Sequence, residues 1–235
     1  MPAGIADMHT HVLPEMDDGS SSVKESVDML RESANCGISI VTATPHFYAD
    51  TDTPDTFFER RDRSMQLLER ELKKHRDLPQ IKIGAEVHYF HGMSDSEVLK
   101  RLTIADKGCI LVEMPHTVWT RGMYEELAQI RNKQGLIPVI AHVDRYIGLF
   151  YNRSIPEHLE NLPVLVQANA SFFLNRFTSS MAMRLLHQEK IHLLGSDCHN
   201  MGSRKPNLGE AVEKIRSRLG QSALDRIGEY QEIVF

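Results

Sequence analysis

The chain has 235 residues, 41% hydrophobic and 25% charged, an ordinary globular composition at a length that a single α/β barrel fills. A net charge of −5 with no Lys/Arg stripe argues against a nucleic-acid partner. No apolar run approaches the ~20 residues that span a bilayer, no signal-like start is present, and three cysteines are too few for a disulfide framework, so a cytoplasmic protein with reduced thiols and no membrane insertion is expected.

In chain order, a first strand is predicted over residues 5–8 and runs into His9-Thr10-His11. Asp17-Asp18-Gly19 taken alone reads as a turn. A helix opens on the capping box Ser22-x-x-Glu25, carries Val23, Val27, Leu30 and Ala34 at helical spacing, and stops at Gly37. The second strand, 39–43, leads into Thr44-Pro45-His46. A helix follows from Thr53-Pro54, with Phe58, Met65, Leu68 and Leu72 on one stripe. The third strand, 82–85, ends at Glu86, and the fourth, 109–112, ends at Glu113. A helix from about 122 to 134 precedes the fifth strand, 137–141, which ends at His142. The sixth strand, 164–168, ends at Asn169. A helix from about 179 to 188 separates it from the seventh, 192–195, which runs into Asp197-Cys198-His199; a last helix spans about 208–219. Strands alternating with helices, with no linker or repeat, predict one domain over 1–235 built on a mostly parallel sheet.

In parallel barrels the active site lies where the C-terminal strand ends converge. Six of the seven predicted strand ends deliver His, Glu or Asp there: His9 and His11, His46, Glu86, Glu113, His142, and Asp197 with His199. Such a crowd repels itself unless cations hold it. Nitrogen and oxygen donors without thiolate suit Mn, Fe or Zn, and their number exceeds one coordination shell, so two or three ions are expected. Ions ~3.5–4 Å apart can activate water and clamp a phosphoryl displacement. Each fragment alone has a plainer reading, His9-x-His11 as alternate strand residues and Glu86 as a strand-end ion pair; the combination points to metal. His75 and His187 fall on charged helical stretches, His158 near a loop, and His192 faces away from the mouth. His88, His91 and His116 follow liganding strand ends and read as loop residues, with lining of the pocket as the alternative.

Asp7-Met-His9-Thr-His11 resembles the opening signature of the PHP superfamily, named for polymerase and histidinol phosphatase. The longer series resembles one branch, the bacterial manganese-dependent protein-tyrosine phosphatases of capsule and exopolysaccharide synthesis. That series runs from His11 to Gly19, then Ala43-Thr-Pro-His46, Gly84-Ala-Glu86-Val, Val139-Ile-Ala-His142-Val-Asp-Arg145-Tyr146 and Gly195-Ser-Asp197-Cys-His199-Asn. It covers roughly residues 3–210. The resemblance implies a distorted seven-stranded (β/α) barrel, TIM-barrel-like, holding three divalent ions, Mn²⁺ foremost, with Fe or Zn suited to the same donors. His9, His11, Glu86 and Asp197 match one ion's ligands. Glu86 and Glu113 with His142 match a second, and Asp18, His46 and His199 a third. Arg145 and Arg204 match the arginines that hold the substrate phosphate. The implied substrate is phosphotyrosine on a cognate bacterial tyrosine kinase; a histidinol-phosphate or other small-molecule phosphatase, or a non-catalytic metal-binding module, are the alternatives. Asp144 stands where the branch usually has Glu, and the C-terminal tail lacks the branch's terminal Asn-Pro.

Cys198-His-Asn-Met-Gly-Ser-Arg204 also satisfies Cys-x5-Arg, the signature of thiolate phosphatases. There the loop leads straight into a helix whose N-terminus faces the phosphate. Lys205-Pro206-Asn207 delays the helix here, and Asp197 would raise the thiol pKa. The metal reading is therefore preferred.

Overall fold

The computed structural model describes residues 4–148, 152 and 154–235. Its strands are β1 (Asp7–Thr10), β2 (Ile40–Ala43), β3 (His46–Phe47), β4 (Gln80–Ile83), β5 (Glu86–His88), β6 (Cys109–Glu113), β7 (Ile137–Ile140), β8 (Leu165–Asn169) and β9 (Leu193–Gly195). The helices are α1 (Val23–Asn35), α2 (Pro54–Leu72), α3 (Arg121–Gln134), α4 (Asp144–Ile147), α5 (Ile155–Leu159), α6 (Ala170–Leu174), α7 (Ser179–His187), α8 (Leu208–Leu219) and α9 (Gln221–Val234). Among the described residues no helix is long and apolar enough to cross a membrane.

Local chemistry sets the helix starts. The Ser22 side chain accepts the Glu25 N–H and opens α1; the Glu25 carboxylate accepts from the Ser21 N–H, one residue earlier than a reciprocal box requires. Thr53 caps α2 by accepting from the Thr56 N–H, with Pro54 at the first helical position. The apolar stripes then bury Val27 and Leu30 of α1 and Phe58 and Leu68 of α2.

Every named strand pair is parallel. One ladder runs β1-β2-β4 and the other β3-β5-β6-β7-β8-β9, giving an α/β fold whose strands form a half-barrel. The expected second strand is matched by β2 and followed by a further short strand, β3; the expected third, 82–85, begins two residues earlier as β4, and its last two residues are the gap before β5. Pro45 has no N–H for the ladder and separates β2 from β3, while Gly84-Ala85 separates β4 from β5. Backbone bonds from Gly84 N to Ala43 O and from Glu86 N to Pro45 O, 2.9 and 3.0 Å, carry the pairing across both breaks. β1 also meets the segment after β9, where Asp197 N donates to His9 O and His11 N donates to Cys198 O.

The strands divide two apolar clusters by simple alternation. Ile110, Val112, Ile140 and Leu194 belong to the large cluster under the helices. Cys109, Leu111, Val139 and Leu193 join Ala6 and Met8 in a small one enclosed by the strands. Val234 of α9 belongs to that inner cluster. Gln231 ties the helix in place, its Oε1 accepting from Ala6 N and its Nε2 donating to Ala6 O. The C-terminal tail is thus a plug under the N-terminal strand ends, at the opposite end from the polar residues.

Candidate metal centre

At the C-terminal strand ends the inward column turns polar. Glu113 continues the column of Cys109 and Leu111; Gln167 and Asn169 continue that of Leu165; Asp197 follows Leu193 and Gly195. His46 and Glu86 lie next to Phe47 and Val87, which face the outer cluster. β1 reaches the same face by a bulge. Asp7 pairs with Val41 and Thr10 with Ala43, so β1 carries one extra residue between them. A one-residue slip reverses the face, and bulges re-aim side chains in this way. Below the bulge Ala6 and Met8 point inward; above it His9 and His11 do, while Thr10 turns away and donates to Thr42 O at 2.8 Å.

Two glycines permit this crowding. A Cβ on Gly195 would lie 2.7 Å from His9 Cβ, and one on Gly19 would lie 2.3 Å from His11 O. Alternation alone would send His142 outward after Ala141. Its φ of 31° swings it back, and Asp197 sits at φ 53°, both in the left-handed region that costs a side-chain-bearing residue about 1–3 kcal/mol.

Glu86 is the hub. Its Oε1 lies 2.7 Å from His142 Nε2, and its Oε2 lies 2.9 Å from His46 Nδ1, 3.2 Å from His9 Nε2 and 3.3 Å from His11 Nε2. Asp18 Oδ1 lies 3.4 Å from His46 Nε2 and 3.3 Å from His199 Nε2. Glu113 Oε1 is 3.5 Å from His142 Nε2, and Asp197 Oδ1 is 3.6 Å from both His11 Nε2 and His199 Nδ1. The nine expected ligands therefore form one contiguous cluster. Its tightest sets are His9, His11 and Glu86; His46, Glu86 and Glu113; and His11, Asp18, His46 and His199, each with donor atoms within 4.8 Å of one another. Asp197 and His142 flank these sets.

The donors fit divalent cations. His9 Nε2 faces His11 Nε2 at 3.2 Å, and Glu86 Oε2, His46 Nδ1 and His199 Nε2 are buried without hydrogen-bond partners. Imidazole and carboxylate donors aimed at one another in this way are the set that such ions bridge.

Ion pairs dominate the electrostatics. Burial pulls the His11 imidazole down, but the neighbouring carboxylates of Asp17 and Glu86 outweigh it and raise it to about 10. His142 is raised to about 9 against the same burial by Glu113 and Glu86. Burial works against the Asp197 carboxylate, yet His9 and Arg145 hold it at about 2. His199 goes the other way, lowered to about 4 by burial and by the charge on His11. Arg145 and Arg204 both lie at the edge of the cluster: each donates to Asp197, Arg204 Nη2 at 2.7 Å, with side chains 32% and 36% exposed.

Three residues outside the expected ligand set hold it in place. Asp17 accepts from His11 Nδ1 at 2.7 Å, from the His46 N–H and from the Gly19 N–H. It fixes the His11 ring with Nε2 aimed at Glu86. Gln167 Oε1 accepts from the His142 N–H at 2.6 Å and contacts His9 Nδ1 at 3.3 Å. Asn169 donates to Asp197 Oδ2 at 3.0 Å. The alternation Leu165-Gln167-Asn169 was the available signal for the last two; Asp17 carried none beyond its neighbour Asp18. Carboxylates that orient liganding histidines contribute about 10–100-fold in metal affinity, so Asp17→Asn should weaken Mn²⁺ binding by that factor, read by metal titration. An unchanged affinity would remove this role. Asp144, the departure noted above, accepts from the Asn169 N–H at 2.8 Å.

The other histidines divide as chemistry suggests. His192 accepts the Val166 N–H, packs edge-on against Tyr230, and is lowered to about 4 by burial, which makes it a neutral structural ring. His75 and His187 lie on α2's C-terminal flank and α7, His158 bonds Ser154 O, and His91 is exposed. His116 packs against Tyr146 beyond the ligands, whereas His88 enters the cluster with Nδ1 3.1 Å from Glu113 Oε2.

Cys198 is 2% exposed, belongs to the outer apolar cluster, and has its thiol pushed up by burial and by Asp7. A thiolate nucleophile needs the reverse. The helix after it begins only at Leu208. Cys198→Ser should keep most phosphomonoesterase activity at full metal loading; a folded, loaded, inactive variant would reopen the thiolate route.

Residues 5–231 match the family described as "Capsular polysaccharide synthesis, CpsB/CapC". The tyrosine-protein phosphatase YwqE of Bacillus subtilis is 28% identical over 97% of this chain and 90% of its own length. The tyrosine-protein phosphatase CpsB of Streptococcus pneumoniae is 29% identical over 91% of this chain and 90% of its own. A solved structure from work on YwqE and CpsB, described there as unique metal-dependent tyrosine phosphatases, superposes with a TM-score of 0.84 at 26% identity, covering 98% of this chain and 94% of that one. The chain belongs to the CpsB/CapC family of capsular polysaccharide synthesis.

Proposed function

We propose that this chain is a metal-dependent protein-tyrosine phosphatase of capsular and exopolysaccharide synthesis, working as a single PHP-type domain over residues 1–235. The observation that carries the reading is Glu86, one buried carboxylate within reach of four imidazoles at the mouth of the strands. The nine clustered side chains, His9, His11, Asp18, His46, Glu86, Glu113, His142, Asp197 and His199, are its metal ligands, for three divalent ions with Mn²⁺ foremost. The strands are read as a distorted seven-position barrel, with β2–β3 and β4–β5 each one interrupted position and the bonds from His11 and Asp197 as the seam.

Bound ions supply Lewis-acid charge and a hydroxide nucleophile at neutral pH. The chain's own residues do the rest. Asp17 and Gln167 hold His11 and His9 in orientation. Arg145 and Arg204, partly exposed beside Asp197, turn to the equatorial oxygens of the phosphate, where bidentate charge-assisted bonds offset its negative charge. The leaving phenol, with a pKa of ~10, needs less protonation than an alkyl alcohol. The physiological substrate is phosphotyrosine on a bacterial tyrosine kinase in the cytoplasm, a compartment in keeping with three free cysteines.

Chelation should abolish hydrolysis of a phosphotyrosyl peptide and Mn²⁺ should restore it. Full activity in protein verified to be metal-free would sink the reading. Faster turnover of histidinol phosphate than of the peptide would transfer the same scaffold to small-molecule chemistry.

A further inference from the structure

The inward column does not stop at the ligand layer. His88 closes β5 two residues beyond Glu86, on the same strand face one pleat further out, and Tyr48 follows His46 by two residues, just past the end of β3. Their rings converge: Tyr48 is 5.5 Å from His88 and 5.4 Å from His46 between centroids. Both are partly exposed, and a cavity of about 600 Å³ lined by Met16, Asp18, His46, Tyr48, Thr51 and Arg60 opens beside them. A phosphoryl group seated on the ligands would place the carbon skeleton of its ester in this layer.

Resting on the phosphatase reading, we propose that Tyr48, backed by His88, is the wall of a subsite for the aryl ring of the substrate, and that the adjoining cavity takes the polypeptide flanking it. Aromatic rings in offset or edge contact gain about 0.5–1.5 kcal/mol beyond area burial. An alkyl phosphate reaches the same ligands without touching the wall. Tyr48 therefore selects tyrosyl over seryl or small alkyl esters through binding, leaving the reacting atoms to the ligands and arginines.

The test uses the full Mn²⁺-loaded chain and compares wild type, Tyr48→Ala and Tyr48→Phe. Calorimetry reads binding of phenylphosphonate against methylphosphonate, kinetics read phenyl phosphate against glycerol phosphate, and metal per chain is measured throughout. Tyr48→Ala is expected to weaken phenylphosphonate binding and raise the KM for phenyl phosphate about tenfold, a factor of 1.4 kcal/mol. Methylphosphonate binding, kcat and metal content should stay within about twofold. Tyr48→Phe should behave as wild type, since the ring and not the hydroxyl is used. Equal losses on both ligands, or a fall in kcat together with metal, would make Tyr48 a support for His46 and overturn the subsite. So would a wild-type protein that binds the two phosphonates equally, even if it hydrolyses esters. A wild type that prefers phenylphosphonate yet hydrolyses no ester would leave the subsite standing and remove the catalytic reading.

Discussion

Glu86→Gln will leave a folded chain that hydrolyses no phosphotyrosyl peptide. The carboxylate is 1% exposed and its two oxygens reach His142 on one side and His9, His11 and His46 on the other. It belongs to two of the three tightest donor sets. The amide is the same size, so packing is kept. It carries no charge, however, and one of its two heads becomes an NH₂ donor aimed at imidazole nitrogens that also need an acceptor or a cation. Both sets lose their shared carboxylate at once. Bound metal should fall by at least two ions per chain, and kcat/KM by on the order of 10³ or more, since Lewis-acid charge and the nucleophile disappear together. Circular dichroism should stay that of the wild type. The control is Glu97→Gln, whose exposed carboxylate only pairs with Lys100 and should change nothing. Wild-type metal content and turnover in the Glu86 variant would dismantle the proposed centre.

The sequence made the cluster visible because strand ends can be found by periodicity, and the residues after them were His, Glu and Asp. It could not show how three of them come to face inward. His9 and His11 do so through a bulge in β1, and a bulge adds a residue without changing composition. His142 does so through a left-handed φ, which a histidine adopts only because its surroundings hold it there; Gln167 accepts its N–H from the next strand. Thr44-Pro45 reads as the end of the second strand and Gly84-Ala85 as part of the third; instead, each is a break followed by a short strand that carries a proposed ligand, His46 or Glu86. α4, α5, α6 and α9 lie outside the predicted helices. The first three have only four or five residues each, too short for a helical period to register, whereas α9 has fourteen. Its Val234 and Gln231 seal the inner cluster from below, a long-range role that no local pattern announces. Asp17-Asp18-Gly19 alone reads as a turn, and only the folded loop reveals that Asp17 reaches His11 and His46 together.

Metal uptake will expel protons, and its affinity will climb steeply with pH. In the metal-free chain His11 is raised to about 10, against burial, by Asp17 and Glu86, and His142 to about 9, against burial, by Glu113 and Glu86. Both rings are therefore cationic at neutral pH. A ligating imidazole must be neutral at the coordinating nitrogen. Filling the site then releases about two protons, so affinity should rise about 100-fold per pH unit between about 7 and 9 and level off above about 10. The sign for stability without metal is the opposite. Folded-state values lie above the unfolded histidine value of ~6.5, so the contribution of these pairs is fully present below that pH and is lost as pH rises through about 9 to 10. The chelated protein should thus melt progressively lower from pH 7 to 10. The loaded protein should instead lose its metal, and with it its extra stability, on acidification. Mn²⁺ titrations in two buffers of different ionisation enthalpy give the proton count directly. A count near zero at pH 7 would mean that His11 and His142 are already neutral, and that the ion pairs around Glu86 do not hold the metal-free site together.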